Sequence, residues 1–238
     1  MDNKKTTKFI IGVDEVGRGP IAGPVAVCSF VSKNDHFLGS LSSSIDFIKE
    51  NNLPKLKDSK KLSKKQREIW FEYLKKEKEK GNCDFAVSFV SSENIDKFGI
   101  AKCIQKALDK SLEHVISQKL VNFHVFTPEG PYADENLQAF VPRLKTNLAS
   151  FHIFLDGGLH APKEYINQET IIKGDELHPV ISLASIIAKV SRDRVMEVFA
   201  KKYPSYDFDK NSGYGTKAHY EAIKKHGKCL IHRKTFIH

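Results

Sequence analysis

Three short apolar runs in this chain each stop on acid: FIIGVDE at Asp14 and Glu15, FHIFLDGG at Asp156, and TIIKGDE at Asp175. Between them lie longer stretches whose apolar residues recur at helical spacing. Short β-type runs alternating with amphipathic helices bury their apolar faces only as a sheet covered by helices, so the pattern predicts an α/β fold. Lys8 to Val13 is predicted as a strand, followed by the cluster Gly17-Arg18-Gly19-Pro20 and Gly23-Pro24 and a second strand at Val25 to Val31, the pattern of a hairpin. Ser63 with Gln66 three residues on forms a capping box that opens a helix running to Gly81. Asp84 to Val90 is a further strand. Ile95, Ile100, Ile104, Leu108, Leu112 and Val115 mark one long helix after Ser91 and Ser92.

Phe151 to Leu155 and Thr170 to Ile172 are both predicted as buried strands. After Pro179, residues Leu183, Ile186, Ile187, Val190 and Val198 draw one face of a helix reaching about Tyr203. Ser185, Lys189, Arg192 and Asp193 fall off that stripe. A last helix is predicted from Thr216 to Gly227, a residue suited to the left-handed turn that ends a helix. Residues 32–56 and 121–150 are expected to be surface insertions. The expectation is a single domain over 1–238, with the sheet and core helices to about residue 200 and a helical segment after it.

Hydrophobic residues make up 40% of the 238, enough apolar material to exclude long-range disorder. The 38 Lys and Arg against 29 Asp and Glu leave +9, a surplus that points toward a polyanionic partner. Four cysteines without a Cys-x-x-Cys pair, Cys28, Cys83, Cys103 and Cys229, exclude a zinc knuckle and a disulfide framework. Reduced thiols in a cytoplasm fit best. No stretch reaches the roughly 20 apolar residues needed to cross a bilayer, so no membrane association is expected.

If the three acid-tipped strands are neighbours, their carboxylates converge on one edge of the sheet. Two ionised carboxylates about 4 Å apart repel by about 4 kcal/mol at an effective dielectric near 20, so something positive must lie among them. Oxygen ligands without His or Cys select a hard cation such as Mg²⁺ or Mn²⁺, and a pair of such ions about 3.5–4 Å apart is the usual apparatus of phosphodiester cleavage. Taken singly, each acid could equally begin a turn or cap a helix. Gly12 to Arg18 imitates a Walker A loop but places Arg18 where lysine is needed, Gly19 where Ser or Thr is needed, and two acids where phosphates would lie. Ser185 and His178 do not make a triad.

Five ordered segments then carry a resemblance: GVDEVGRGPIAGPV from Gly12, DSKKLS from Asp58, LDG from Leu155, KGDELHPVISLASIIAKVSRDR from Lys173, and SGYGT from Ser212. Together they resemble bacterial ribonuclease HII over nearly the whole chain. The resemblance implies a ribonuclease H-like fold, a central mixed β-sheet flanked by helices with a helical C-terminal part. It implies cleavage of RNA in RNA/DNA hybrids and incision 5′ of a single ribonucleotide in duplex DNA, leaving 5′-phosphate and 3′-hydroxyl ends. Two divalent cations, Mn²⁺ or Mg²⁺, would be held by Asp14, Glu15, Asp156 and Asp175.

The backbone of Gly17, Arg18 and Gly19, with Tyr214, would read the ribose 2′-hydroxyl, and Lys60 would contact a phosphate. Ser185, Lys189 and Arg192 would support the site, whereas Asp193 is expected in a salt bridge or in helix packing. The expected partners are RNA/DNA hybrid and ribonucleotide-containing duplex DNA, bound by a monomer. Leu183 stands where the family usually has alanine, and the two insertions exceed the usual connections. Ribonuclease HIII, which lacks the Gly-Arg-Gly arginine and carries a further N-terminal domain, and a basic hybrid-binding protein without turnover are the lesser alternatives.

Overall fold

The structure, a computed structural model, describes residues 9–33, 45–124 and 148–237. Its centre is a five-stranded mixed sheet in the order β3-β2-β1-β4-β5. The strands are β1 (Phe9–Val16), β2 (Val25–Lys33), β3 (Cys83–Val90), β4 (Phe151–Asp156) and β5 (Gln168–Ile171). β1, β2 and β3 pair antiparallel, while β4 runs parallel to β1 with Phe9 opposite Phe151 and Val13 opposite Leu155. β5 is parallel to β4 in turn. Parallel pairing sends the carboxyl ends of β1, β4 and β5 to the same edge of the sheet.

Alternation along the strands divides the core in two. Phe9, Ile11, Val13, Val27 and Val31 meet Ile104, Leu108, Leu112 and Val115 of a long helix, α4 (Ile100–His124). Ile10, Cys28 and Phe30 face Val180, Ile181, Ala184 and Ile187 of α6 (Pro179–Lys202), with Trp70 and Leu74 of α2 (Lys64–Glu79) beside them. A third cluster, Ala22, Met196, Tyr206, Phe208 and Ile231, joins the segment after α6 to the rest. That segment carries α7 (Phe208–Asn211) and α8 (Lys217–His226). Among the described residues no helix is long and apolar enough to cross a membrane.

Several predicted elements stand where expected. The Ser63–Gln66 capping box opens α2, with both reciprocal hydrogen bonds present, and Thr216 caps α8, which ends at Gly227. Others need correction. β1 does not stop at Val13 but continues to Val16, because β2 extends the antiparallel ladder to Val16 opposite Ala26 after the parallel pairing with β4 has ended. Asp14 and Glu15 therefore lie within a strand. The single helix predicted after Ser92 is two, α3 (Ser92–Phe98) and α4, separated by Gly99 at φ 81°, whose N–H caps Ile95.

β5 is an edge strand, partly exposed along its length, and Ile172 beyond it is 78% exposed, so the expected burial fails there. Residues 32–56 are not one irregular insertion. Ser32 and Lys33 finish β2 and a short helix, α1, spans Ile45–Glu50; residues 34–44 lie outside the described residues. Of the predicted insertion over 121–150, residues 121–124 complete α4 and 125–147 lie outside the described residues.

One contact joins the two layers closely. Gly12 has no side chain on the α6 face of β1, and a Cβ there would overlap the Val180 carbonyl and the Ile181 nitrogen. Absence of that carbon lets the start of α6 rest on the strand backbone, two residues before Asp14. Replacing Gly12 by Ala should cost about 3 kcal/mol, the upper end for overpacking against backbone that cannot step aside. Chemical denaturation of the two proteins measures it; a loss below about 0.5 kcal/mol would show that the layers separate freely.

Candidate active site

The strand geometry places Asp14 at the carboxyl end of β1 and Asp156 at that of β4. Ligand oxygens of Asp14, Glu15 and Asp156 lie within 4.8 Å of one another. Asp14 is buried, accepts the Glu15 N–H at 2.7 Å and also accepts from the Ser185 hydroxyl on α6. Ser185 Oγ is in turn 2.8 Å from Ser59 Oγ, so a pair of hydroxyls stands behind the carboxylate. Asp156 Oδ1 accepts the Gly174 N–H at 2.6 Å, and the Asp175 N–H lies 3.4 Å away.

Asp175 is not at the tip of a strand. It sits on one helical turn, α5 (Gly174–Leu177), preceded by Lys173 in the left-handed region at φ 57°. Its carboxylate stands outside the close trio and meets Lys60 Nζ at 3.5 Å. The electrostatics record crowding. Burial pushes the Asp14 carboxyl well above its ordinary value, with Glu15 and Asp156 adding to the effect. Glu15 is raised by burial and by Asp156 against the opposing pull of Arg18, and Asp175 is raised by burial and Asp156.

The nearby cations stand at the margin. Arg18 Nη1 lies 3.7 Å from Glu15 with its side chain 62% exposed, and Lys60 is 79% exposed. Carboxylate oxygens held this close, Asp14 buried and Glu15 and Asp156 half-buried, with no imidazole or thiolate in the group and no interior cation among the described residues, fit a hard divalent ion.

Beside the acids, the turn after β1 exposes Arg18 and Gly19, and the Tyr214 ring lies next to Gly19, about 3.9 Å from where a Cβ on that glycine would be. Tyr214 is 45% exposed. Its carbonyl is held by an imidazole chain whose protons can be placed. The Cys229 N–H donates to His232 Nδ1 at 2.8 Å, which leaves the His232 proton on Nε2. That nitrogen is 3.0 Å from His219 Nε2, so His219 carries its proton on Nδ1 and donates it to the Tyr214 carbonyl at 2.8 Å.

Both rings are thus neutral. Burial lowers His219, and burial with the His219 neighbour lowers His232 to about 4. The unfolded chain takes up these protons near the ordinary imidazole value, so this contribution to stability is complete above about pH 6.5 and is lost as pH falls toward 4.

Of the supporting residues, Ser185 reaches Asp14, whereas Lys189 pairs with Asp193 at 2.7 Å and Arg67 approaches Asp193 at 3.7 Å. Asp193 is thereby occupied away from the acid cluster. Arg192, which the helical pattern placed off the apolar face, is completely buried. It donates to the carbonyls of Pro24 at 2.9 Å, Ser212 at 3.0 Å and Ala22 at 3.3 Å. Sequence reasoning missed Arg233, His219, His232 and Ser59. Arg233 is also fully buried, donating to Gly23 at 2.9 Å, Arg18 at 3.1 Å and Gly17 at 2.7 Å. No local spacing could have announced it, because its partners lie more than 200 positions away.

Comparison with known proteins identifies the family and the fold. Residues 11–238 match the family model for ribonuclease HII. The ribonuclease HII of Endomicrobium trichonymphae is 37% identical over 227 residues, covering 95% of this chain and 84% of that one. That of Fusobacterium nucleatum is 36% identical over 232 residues, covering 97% and 86%. Among solved structures, ribonuclease H2 from Pyrococcus horikoshii aligns with a TM-score of 0.55 at 23% identity, over 95% of this chain and 93% of that one. Bst-RNase HIII, solved in complex with Mn²⁺, aligns with a TM-score of 0.59 at 16% identity, over 94% and 64%. These two likenesses establish the ribonuclease H-like fold, and the family match and sequence identities establish that the chain belongs to the ribonuclease HII family.

Proposed function

We propose that this ribonuclease H endonuclease hydrolyses the RNA strand of RNA/DNA hybrids and incises duplex DNA on the 5′ side of a single embedded ribonucleotide, leaving 5′-phosphate and 3′-hydroxyl ends. The observation that carries the reading is the meeting of Asp14, Glu15 and Asp156 within 4.8 Å, beside a Gly-Arg-Gly turn that exposes Arg18 and Gly19 and beside the Tyr214 ring. Asp14, Glu15, Asp156 and Asp175 would hold two divalent cations, Mn²⁺ or Mg²⁺. Such ions, when bound, supply a polarised water for in-line displacement at phosphorus and neutralise charge on the leaving oxygen.

The chain's own groups do the positioning. Ser185 and the Glu15 N–H fix the Asp14 carboxylate, and the Gly174 N–H fixes Asp156, so neither needs to reorganise when substrate arrives. Lys60, exposed at the border of Asp175, would meet a phosphate. The N–H groups of the Gly17–Gly19 turn and the Tyr214 ring and hydroxyl would read the 2′-hydroxyl, which is spared as a nucleophile and so remains an identity tag.

The test is incubation with a duplex carrying one ribonucleotide, in Mg²⁺, in Mn²⁺ and in chelator, with the ends mapped. Metal-dependent cutting 5′ of the ribonucleotide with a 3′-hydroxyl is the expected result. Cutting that persists in chelator, or that leaves a 2′,3′-cyclic phosphate, would overturn the assignment.

A further inference from the structure

Two arginines without a carboxylate partner lie under the turn that exposes Arg18 and Gly19. Arg192 and Arg233 are each fully buried, and neither forms an ion pair among the described residues. An unpaired buried charge is costly unless hydrogen bonds replace its water, and here six carbonyls do so. The neighbouring charges also repel, and burial with Arg192 brings Arg233 down to about 9, which still leaves it cationic at neutral pH. A fold that needed only to fasten these loops could have used neutral donors. Two cations raise the question of what their direction achieves.

Peptide geometry answers for Arg233. Nη2 and Nη1 hold the carbonyls of Gly17 and Arg18, and the chain has no cis peptide bond among its described residues. In a trans peptide the C=O of one residue and the N–H of the next point in opposite directions. Turning the Gly17 and Arg18 carbonyls down onto the guanidinium therefore turns the N–H groups of Arg18 and Gly19 up, away from the interior. Neither N–H has a partner among the described residues, and both residues are exposed.

The turn has little freedom to relax. Gly17 is at φ 89°, and a Cβ there would overlap the Arg192 Nε. The N–H groups of Ile21 and Ala22 are bound to the Gly213 carbonyl at 2.9 and 3.1 Å, tying the turn to the loop that carries Tyr214.

We propose that Arg233 is a positioning residue for ribose selectivity, aiming the Arg18 and Gly19 N–H donors at the 2′-oxygen of the substrate. The inference rests on the reading of the Gly17–Gly19 turn as the ribose-reading element. A charged donor also polarises the peptides whose carbonyls it holds, which makes the two outward N–H groups stronger donors.

Arg233→Gln and Arg233→Lys in the full chain test it. Incision of a duplex with one ribonucleotide is followed under single turnover. Binding of that duplex and of its all-deoxy counterpart is measured in chelator. The parent chain is expected to prefer the ribonucleotide-containing duplex. Arg233→Gln should lose most of that preference, its affinity for the ribonucleotide-containing duplex falling toward that for the all-deoxy duplex, and about 30-fold in the rate of incision, as expected for donors that no longer meet the 2′-oxygen.

Arg233→Lys, which keeps the charge and can still hold one carbonyl, should recover to within about fivefold of the parent rate. A merely structural arginine would lower rate and binding on both duplexes together, in step with thermal stability. A variant that keeps the full ribose preference while its rate follows its folded fraction overturns the inference. If Arg233→Gln does not fold, Arg233→Lys decides, since its preference must still fall short of the parent's. A parent chain without any preference, unaltered by Tyr214→Ala, removes the ribose-reading turn itself; a preference present in the parent and intact in both arginine variants removes only the role of Arg233.

Discussion

Asp14→Asn is expected to lower cleavage of a ribonucleotide-containing duplex by about a thousandfold or more, equivalent to roughly 4 kcal/mol of transition-state stabilisation. The same substitution should make the metal-free protein more stable. Asp14 is buried beside Glu15 and Asp156, and its carboxyl is raised well above its ordinary value, so at neutral pH the group costs the folded state free energy that the unfolded state does not bear. Asparagine keeps the shape and removes the charge. A rise in Tm of roughly 2–4 °C corresponds to about 1 kcal/mol in a chain of this size.

Added Mg²⁺ or Mn²⁺ should then raise the Tm of the parent and do far less for the variant. Duplex affinity should hold or improve, because the chain's net charge of +9 loses one opposing anion. Thermal unfolding with and without divalent ions, alongside cleavage and binding, separates the outcomes. Unchanged turnover, or a metal-free variant less stable than the parent, would remove Asp14 from a cation site.

Tyr214→Ala is expected to reduce incision at a lone ribonucleotide by about a hundredfold, roughly 2.7 kcal/mol, while leaving the fold intact. The ring is 45% exposed, its hydroxyl has no hydrogen bond among the described residues, and its loop is held through the backbone by His219 and Gly213. Surface substitutions away from such fastenings usually change stability by less than about 0.5 kcal/mol. Tyr214→Phe keeps the stacking face and removes the hydroxyl, so its rate divides ring packing from hydrogen bonding. Equal rates for Tyr214→Ala and the parent would leave the tyrosine as surface filling only.

Apolar runs and capping residues made the sheet and its main helices legible, since Ser63, Thr216 and Gly227 act through neighbours within a few positions. The extension of β1 through Asp14 and Glu15 was not legible. It depends on β2 continuing the ladder, a pairing that no local pattern records. Gly99 breaks a helix whose apolar spacing runs on across it, and periodicity cannot see a backbone torsion.

At the site, Asp14, Glu15 and Asp156 were readable because each closes an apolar run; Asp175 was readable as an acid but not as part of a separate helical turn facing Lys60. Arg192 was readable only as a supporting residue, and neither its burial nor Arg233 could be recognised, because a buried arginine held by carbonyls leaves the same mark in a sequence as one in solvent.

The parallel seam between β1 and β4 has a consequence for the chain during its synthesis. A partly made protein that has emerged only as far as α4 carries Asp14 and Glu15 but lacks Asp156, and Arg233 arrives 216 positions after Gly17. No truncated product cut off before β4 holds the trio, and none stopped short of Arg233 has its turn braced from beneath. On the proposed assignment of the site, cutting power is withheld from the nascent polypeptide and from its amino-terminal breakdown fragments, a safeguard that follows from where these residues fall along the chain.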